Sequence, residues 1–208
     1  MATSKQAKKL LEVFEDVETD PMQAILGSGA LTVVRDRPDL HSLILGVSLG
    51  THEIRAVEHA FDRSLTPKLP FNGAEVVEHR GTGVSKLERR KGSLYIDGKK
   101  IHFYMSRVQK TDSILGTMLR NEVTKHPVLD ANVLDHLLER ADVIPEDWKL
   151  DEEGRTRFIF FWGTIYCGAN GELLVRYLCC LGGRWQSHYY SLDCRIGVSS
   201  PAVVSASS

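Results

Sequence analysis

The residues of this 208-residue chain best suited to chemistry are its four cysteines and eight histidines. Their spacing decides what chemistry is open to them. Cys167, Cys179, Cys180 and Cys194 all fall in the last quarter of the chain, as one cysteine, an adjacent pair and one more. A structural zinc site wants paired ligands such as Cys-x-x-Cys, and a disulfide framework is spread through a fold. Reduced thiols and no metal site are therefore expected. Cys194 and His188 can be drawn as a nucleophile and its base. Neither a Gly-x-Ser-x-Gly elbow nor a His-Glu-x-x-His helix accompanies them, so no residue is assigned a catalytic role. An intracellular enzyme using a Cys/His site stands as an alternative reading.

A second candidate is Gly81-Thr82-Gly83-Val84-Ser85-Lys86, which superficially suggests a phosphate cradle. It lacks the four-residue spacer and the Gly-Lys-Ser/Thr ending of a P-loop, so no nucleotide or other cofactor is expected. The basic run Lys86, Arg89, Arg90 and Lys91, with Arg80 upstream, is interrupted by Glu88 and preceded by Glu75 and Glu78. That mixture reads as a glycine-rich surface loop and a solvated face. With a formal net charge of −1, bulk nucleic-acid binding is not implied. A nucleic-acid module using the run 80–91 is the other alternative.

These groups need elements to hold them, and the chain offers both helical and strand periodicity. Leu10, Leu11 and Phe14 predict an amphipathic helix over 5–14, and Asp20-Pro21 starts a short one to about Leu26. Apolar runs at 31–34 and 42–49 predict strands. Ile54, Val57 and Phe61 recur at helical spacing and predict a helix over 51–63. Pro67, Pro70, Asn72 and Gly73 predict a loop. Strands at 93–96 and 100–105 flank Asp97-Gly98, a strong hairpin signal. Helices follow over 113–123 and, capped by Asp130, over 131–140. Trp148 is expected to pack on Pro145.

From Thr156 the pattern turns to strands: 158–166, a turn at Asn170-Gly171, 172–180, a turn at Gly182-Gly183, and 184–192. Phe160, Trp162, Ile165, Leu174, Tyr177 and Trp185 are expected to be mostly buried or half-buried in this meander, and the Ser-rich tail beyond it is expected to fray. The fold class is α+β: N-terminal helices with an antiparallel sheet, then a C-terminal β-meander. Domain boundaries are expected near residue 110 or 152–154. No span approaches the ~20 apolar residues of a membrane helix and no secretory leader is recognisable, so a cytoplasmic protein is expected.

Residues 177–200 read YLCCLGGRWQSHYYSLDCRIGVSS. After Gln186 there is no Lys, Glu, Gln, Met or Trp, although these five types make up 34 of the first 177 residues. They are the types that a codon ending in a pyrimidine cannot encode, and such a menu arises when the adenines of asparagine codons are randomised. In this the segment resembles the variable region of target proteins of diversity-generating retroelements. Upstream, HPVLDANVLDHLL at 126–138, IPEDW at 144–148 and FFWGTIY at 160–166 look like an uncharacterised group of such proteins from uncultured small-genome bacteria. LLVRYL at 173–178, GGRW at 182–185, Leu192-Asp193 and PAVV at 201–204 extend the likeness.

The resemblance covers about the last 85 residues and implies a variable region at 177–200 within a domain spanning 126–208; residues 1–125, outside it, read as an α+β domain of unknown role, unless the whole is one continuous domain. It implies a binding protein with a C-type-lectin-like fold that displays varied side chains to a protein or other macromolecular ligand. Arg184 stands where Ser is usual in that fold and the terminal Gly-Phe-Arg is missing, so a plain β-meander remains the alternative. The contact residues implied are Cys179, Cys180, Leu181, Ser187, His188, Tyr189, Tyr190, Ser191, Cys194, Arg195, Ile196, Gly197, Val198, Ser199 and Ser200. Tyrosine offers rigid amphipathic area and serine adaptable hydrogen bonding, the usage of paratopes. Gly182, Gly183, Trp185 and Asp193 are expected to be structural: two turn glycines, a core anchor, and a loop cap through the Asp193 side chain.

Overall fold

The structure, a computed structural model, describes residues 59–206. The chain divides into Met1–Glu53 and Ile54–Ser208, and the description below concerns the second unit. The helices expected over 5–14 and 21–26 and the strands expected at 31–34 and 42–49 lie outside the described residues.

The unit is a mixed α/β fold built on a large, mostly antiparallel sheet with two helices. Its strands are β1 (His59–Asp62), β2 (Glu75–His79), β3 (Val84–Arg90), β4 (Ser93–Ile96), β5 (Lys99–Tyr104), β6 (Ile114–Leu115), β7 (Ile159–Cys167), β8 (Leu173–Leu181), β9 (Arg184–Ser191), β10 (Arg195–Ile196) and β11 (Ala202–Ser205). The helices are α1 (Gly116–Val123) and α2 (Ala131–Glu139). The main sheet runs β1-β3-β4-β5-β11-β7-β8-β9, with β2 also paired to β7. β6 and β10 form a separate two-stranded ribbon.

Local chemistry accounts for the hairpins. Asp97 and Gly98 have φ of 50° and 76°, the pair of positive values a two-residue primed turn needs. Gly182 and Gly183, at 58° and 76°, make the same turn between β8 and β9. At Asn170-Gly171, Asn170 Oδ1 accepts the Glu172 amide at 3.1 Å. Asp130 caps α2 as expected, its Oδ1 accepting from Asn132 N at 3.0 Å and Val133 N at 3.3 Å.

Side chains alternate across the pleat, so β7 to β9 separate two cores. On the α2 face lie Phe161, Leu178, Val133, Leu137 and Trp148. On the other lie Phe160, Trp162, Ile165, Val175 and Leu192, with Leu119 and Val123 of α1. Between Phe160↔Tyr177 and Ile165↔Val175 the chain takes five steps along β7 against two along β8. This bulge presses Gly163 against the segment before α2. A Cβ there would stand 2.9 Å from both the Cα and N of Asp130, so only glycine fits.

Several expectations are corrected. Phe61 belongs to β1, not a helix: residues 59–62 pair with β3, and the Phe61 ring stacks on His136 with centroids 4.3 Å apart. The basic run lies on strand β3 and its following turn, with Lys86, Arg90 and Lys91 exposed as expected of a solvated face, while Leu87 and Glu88 are buried. The tail does not fray at 202–205. β11 inserts between β5 and β7, burying Ala202, Val203 and Val204. Through this pairing and β2–β7, residues before and after 125 share one sheet.

Candidate functional site

The 15 residues implied as contacts do not form one face. Leu192 N donates to Leu173 O, and the register pairs Val175 with Tyr190, Tyr177 with His188, and Arg176 with Tyr189. Directly paired residues point to the same side. His188 and Tyr190 therefore stand on the α1 face, and Ser187, Tyr189 and Ser191 on the α2 face.

On the α1 face, Phe158, Phe160, Tyr177 and Tyr190 enclose an open cleft of about 230 Å³, with Arg195, Ile196, Gly197 and Ser200 on its far wall. The rings meet edge to face or tilted: Phe158 to Tyr177 at 5.6 Å, Phe160 to Tyr177 at 5.2 Å and Phe160 to Tyr190 at 6.0 Å. Such geometries suit the ring quadrupoles. Burial pushes the Tyr177 hydroxyl above its ordinary pKa.

The far wall is held by hydrogen bonds. Gln109 is fully buried, and its Nε2 donates to Gly197 O at 3.0 Å and Ser200 O at 2.6 Å. Tyr190 Oη donates to Arg195 O at 3.1 Å, and Arg195 Nε to Ser113 Oγ at 2.8 Å. The start of α1 is tied in as well, since Gly116 N and Thr117 N donate to Cys194 O and Leu192 O. Ser199 Oγ donates to Asp151 Oδ2 at 2.7 Å.

On the α2 face, a smaller cleft of about 170 Å³ lies among Leu69, Pro70, Arg176, Ser187 and Tyr189. Its floor is polar and buried. Arg176 reaches Asp135 Oδ1 at 2.8 Å, Lys68 O at 3.0 Å and Ser187 Oγ at 3.2 Å. Burial alone would lower the guanidinium's pKa, but the Asp135 carboxylate holds it above the ordinary value. Tyr189 packs on Phe71 with centroids 4.9 Å apart.

Within the implied set, Cys179 and Ile196 are buried. They are packing residues here, and burial pushes the Cys179 thiol up. Leu181, His188, Tyr189, Cys194 and Arg195 are exposed, while Cys180, Ser187, Tyr190, Ser191, Gly197, Val198, Ser199 and Ser200 are half-buried. Trp185 is half-buried and packs against the α2-face core, within the burial expected of it. The loop after β9 is capped the other way round from expectation: the Asp193 amide donates to Ser191 Oγ at 3.2 Å, and the Asp193 side chain is exposed.

The alternative sites gain little. Cys167, Cys179, Cys180 and Cys194 are free, and among the described residues no hydrogen bond joins Cys194 to His188, whose ring lies 5.8 Å from Tyr177. No group of three or more His, Cys, Asp or Glu is placed to hold a metal ion among the described residues. Gly81 abuts Arg63 O and His79, while Thr82, Gly83 and Val84 are exposed. Arg80 pairs with Glu78 and donates to Thr124 O, Arg89 donates to Asp142 O, and Arg90 pairs with Glu88 and lies over Tyr95. Among the described residues no helix is long and apolar enough to cross a membrane.

Sequence reasoning missed Gln109, Phe158, Asp135 and Arg176 as site residues. Arg176 alone left a signal: a single charge in the apolar run Leu173–Leu178 wants a buried partner. Compared with protein-family models, curated proteins and solved structures, the chain matches none.

Proposed function

We propose that this chain is a ligand-recognition protein whose C-terminal segment is the diversified surface of a retroelement target protein. The observation carrying the reading is the α1-face cleft. Six residues of the 177–200 segment, Tyr177, Tyr190, Arg195, Ile196, Gly197 and Ser200, line it together with Phe158 and Phe160. Five of those six belong to the implied contact set; Tyr177 does not. Around the far wall the backbone is held from outside the segment, by Gln109 at Gly197 and Ser200 and by the pairing of Arg195 and Ile196 with β6. A recognition surface needs that arrangement, because side chains can change while their supports stay constant.

The lectin-like fold is part of the same proposal. The Gly182-Gly183 turn leading into Trp185 supports it, as does the placing of most of the restricted-menu side chains on or after one hairpin. The ligand is a protein or other macromolecule, met in the cytoplasm, where the free thiols stay reduced.

The test is genomic. A near-copy of the stretch encoding residues 177–200, differing mainly where the copy has adenine, should lie beside a reverse-transcriptase gene. If no copy exists and close relatives keep these side chains unchanged, the diversification reading fails.

A further inference from the structure

The larger cleft is lined by two kinds of residue. Phe158, Phe160 and Tyr177 form one side of it, and none of the three belongs to the implied contact set. Tyr190 beside them, and Arg195, Ile196, Gly197 and Ser200 on the far wall, all belong to that set. Three aromatic rings therefore stay in place whatever diversification does opposite them.

Charge and size narrow what fits. Among the described residues that line the cleft none is acidic, and the single charged one is Arg195. Its guanidinium is already committed, donating to Ser113 Oγ and Ser113 O and facing Asp112 at 3.8 Å. An anion would find that charge matched, and a cation would find no carboxylate to match its own. A neutral ligand loses least on entry. The volume of about 230 Å³ lies below the roughly 300–1,000 Å³ of a site for a drug-sized ligand, and it suits one ring or a fused pair. The lining rings already meet edge to face or tilted. A further ring continues that packing and gains more than an aliphatic group of equal area.

Two polar groups are left to orient such a ring. Among the described residues the hydroxyls of Tyr177 and Ser200 make no hydrogen bond, whereas that of Tyr190 is used on Arg195 O and the Gly197 and Ser200 carbonyls on Gln109. Gly197 keeps the wall open, since a Cβ there would meet no heavy atom within 4 Å.

Resting on the recognition reading above, we infer that the cleft binds a neutral aromatic ring carrying a hydrogen-bonding substituent, an indole or a phenol. Phe158, Phe160 and Tyr177 hold the ring, the Tyr177 and Ser200 hydroxyls meet the substituent, and the residues that vary choose among ligands of this class. A free aromatic molecule and the Trp or Tyr side chain of a polypeptide present the same chemistry.

The test titrates the full chain with the N-acetyl amides of tryptophan, tyrosine, phenylalanine and leucine, and with tetramethylammonium, following the Gly197 and Ser200 amide signals by NMR. The tryptophan and tyrosine amides should shift these signals and bind about two- to twelvefold more tightly than the leucine amide, the range expected of aromatic pairing. Tyr177→Phe should keep ring binding but bring the tyrosine amide down toward the phenylalanine amide. Gly197→Leu, which fills the open space at the wall, should weaken aromatic binding at least about tenfold. The order of the probes on the unmutated chain decides the matter if either variant misfolds. p-Cresol separates the two sources: tighter binding of the tyrosine amide than of p-cresol assigns the site to a polypeptide side chain, and the reverse or equality assigns it to a free molecule. Leucine amide or tetramethylammonium binding as well as the aromatic amides, or no shift at Gly197 and Ser200 with any probe, would overturn the proposal. The genomic test does not depend on these outcomes, so a failed ring site and a failed diversification reading are told apart.

Discussion

The Arg176 guanidinium and the Asp135 carboxylate meet at 2.8 Å with only 7% and 10% of their side chains exposed, joining β8 to α2 beneath the smaller cleft. Asp135 Oδ2 also accepts from Lys68 N at 3.1 Å, so the pair fixes the 67–70 loop. Removing one partner leaves a buried charge unmatched. Asp135→Ala is expected to cost about 3–5 kcal/mol in urea unfolding. The double variant Asp135→Leu, Arg176→Met should cost markedly less, because both charges then leave together. Equal losses for the two would show that the pair does not couple.

The two tryptophans nearest the site should differ. Trp162 is fully buried, so Trp162→Ala should cost about 3–5 kcal/mol through lost contacts and a cavity. Trp185 is half-buried at the margin of the other core, and Trp185→Ala should cost about 1–2 kcal/mol. Denaturant midpoints of the two variants settle the order.

Gln109 makes the shape of the larger cleft depend on a residue outside the diversified segment. Gln109→Leu keeps the volume but leaves two carbonyls, Gly197 O and Ser200 O, without their donor. A loss of about 1–3 kcal/mol is expected, with faster amide exchange over 197–200 and none over α2. Unchanged exchange there would remove Gln109 from its supporting role.

Asp151 should make the protein acid-sensitive. Burial would raise its carboxyl, but donors from Ser199 Oγ, Arg155 Nε and the Arg155 and Glu153 amides hold it well below the ordinary range. The folded pKa is thus depressed, and its contribution is complete above the unfolded value near about 4 and lost as pH falls below it. The stability difference between the native chain and Asp151→Asn should be constant from pH 7 down to that point, then shrink. A difference that grows on acidification would reverse the assignment.

What the sequence determined by itself is what residues decide within a few positions of one another. Asp97-Gly98, Asn170-Gly171 and Gly182-Gly183 carry the positive φ or the side-chain acceptor their turns need, and Asp130 caps α2 with its own carboxylate. So the hairpin β4–β5, the meander β7–β9 and both helices were legible, as was most of the meander's core.

Only the tertiary structure decided which strands meet when they are far apart in the chain. Phe61 has helical spacing from Ile54 and Val57, yet it lies in a strand because β3, more than twenty residues later, offers an edge. Ala202–Ser205 looks like the start of a polar tail, yet it fills the gap between β5, about a hundred residues earlier, and β7. The candidate contacts fall on two faces because β9 pairs with β8 in a period of two, which divides neighbours such as Tyr189 and Tyr190. Burial of Cys179 and Ile196, the Arg176–Asp135 pair and the hold of Gln109 on 197–200 all arise from groups at least 41 residues apart or from packing between elements. Such pairings close large loops, and their partners are chosen by the whole core rather than by neighbours in the chain.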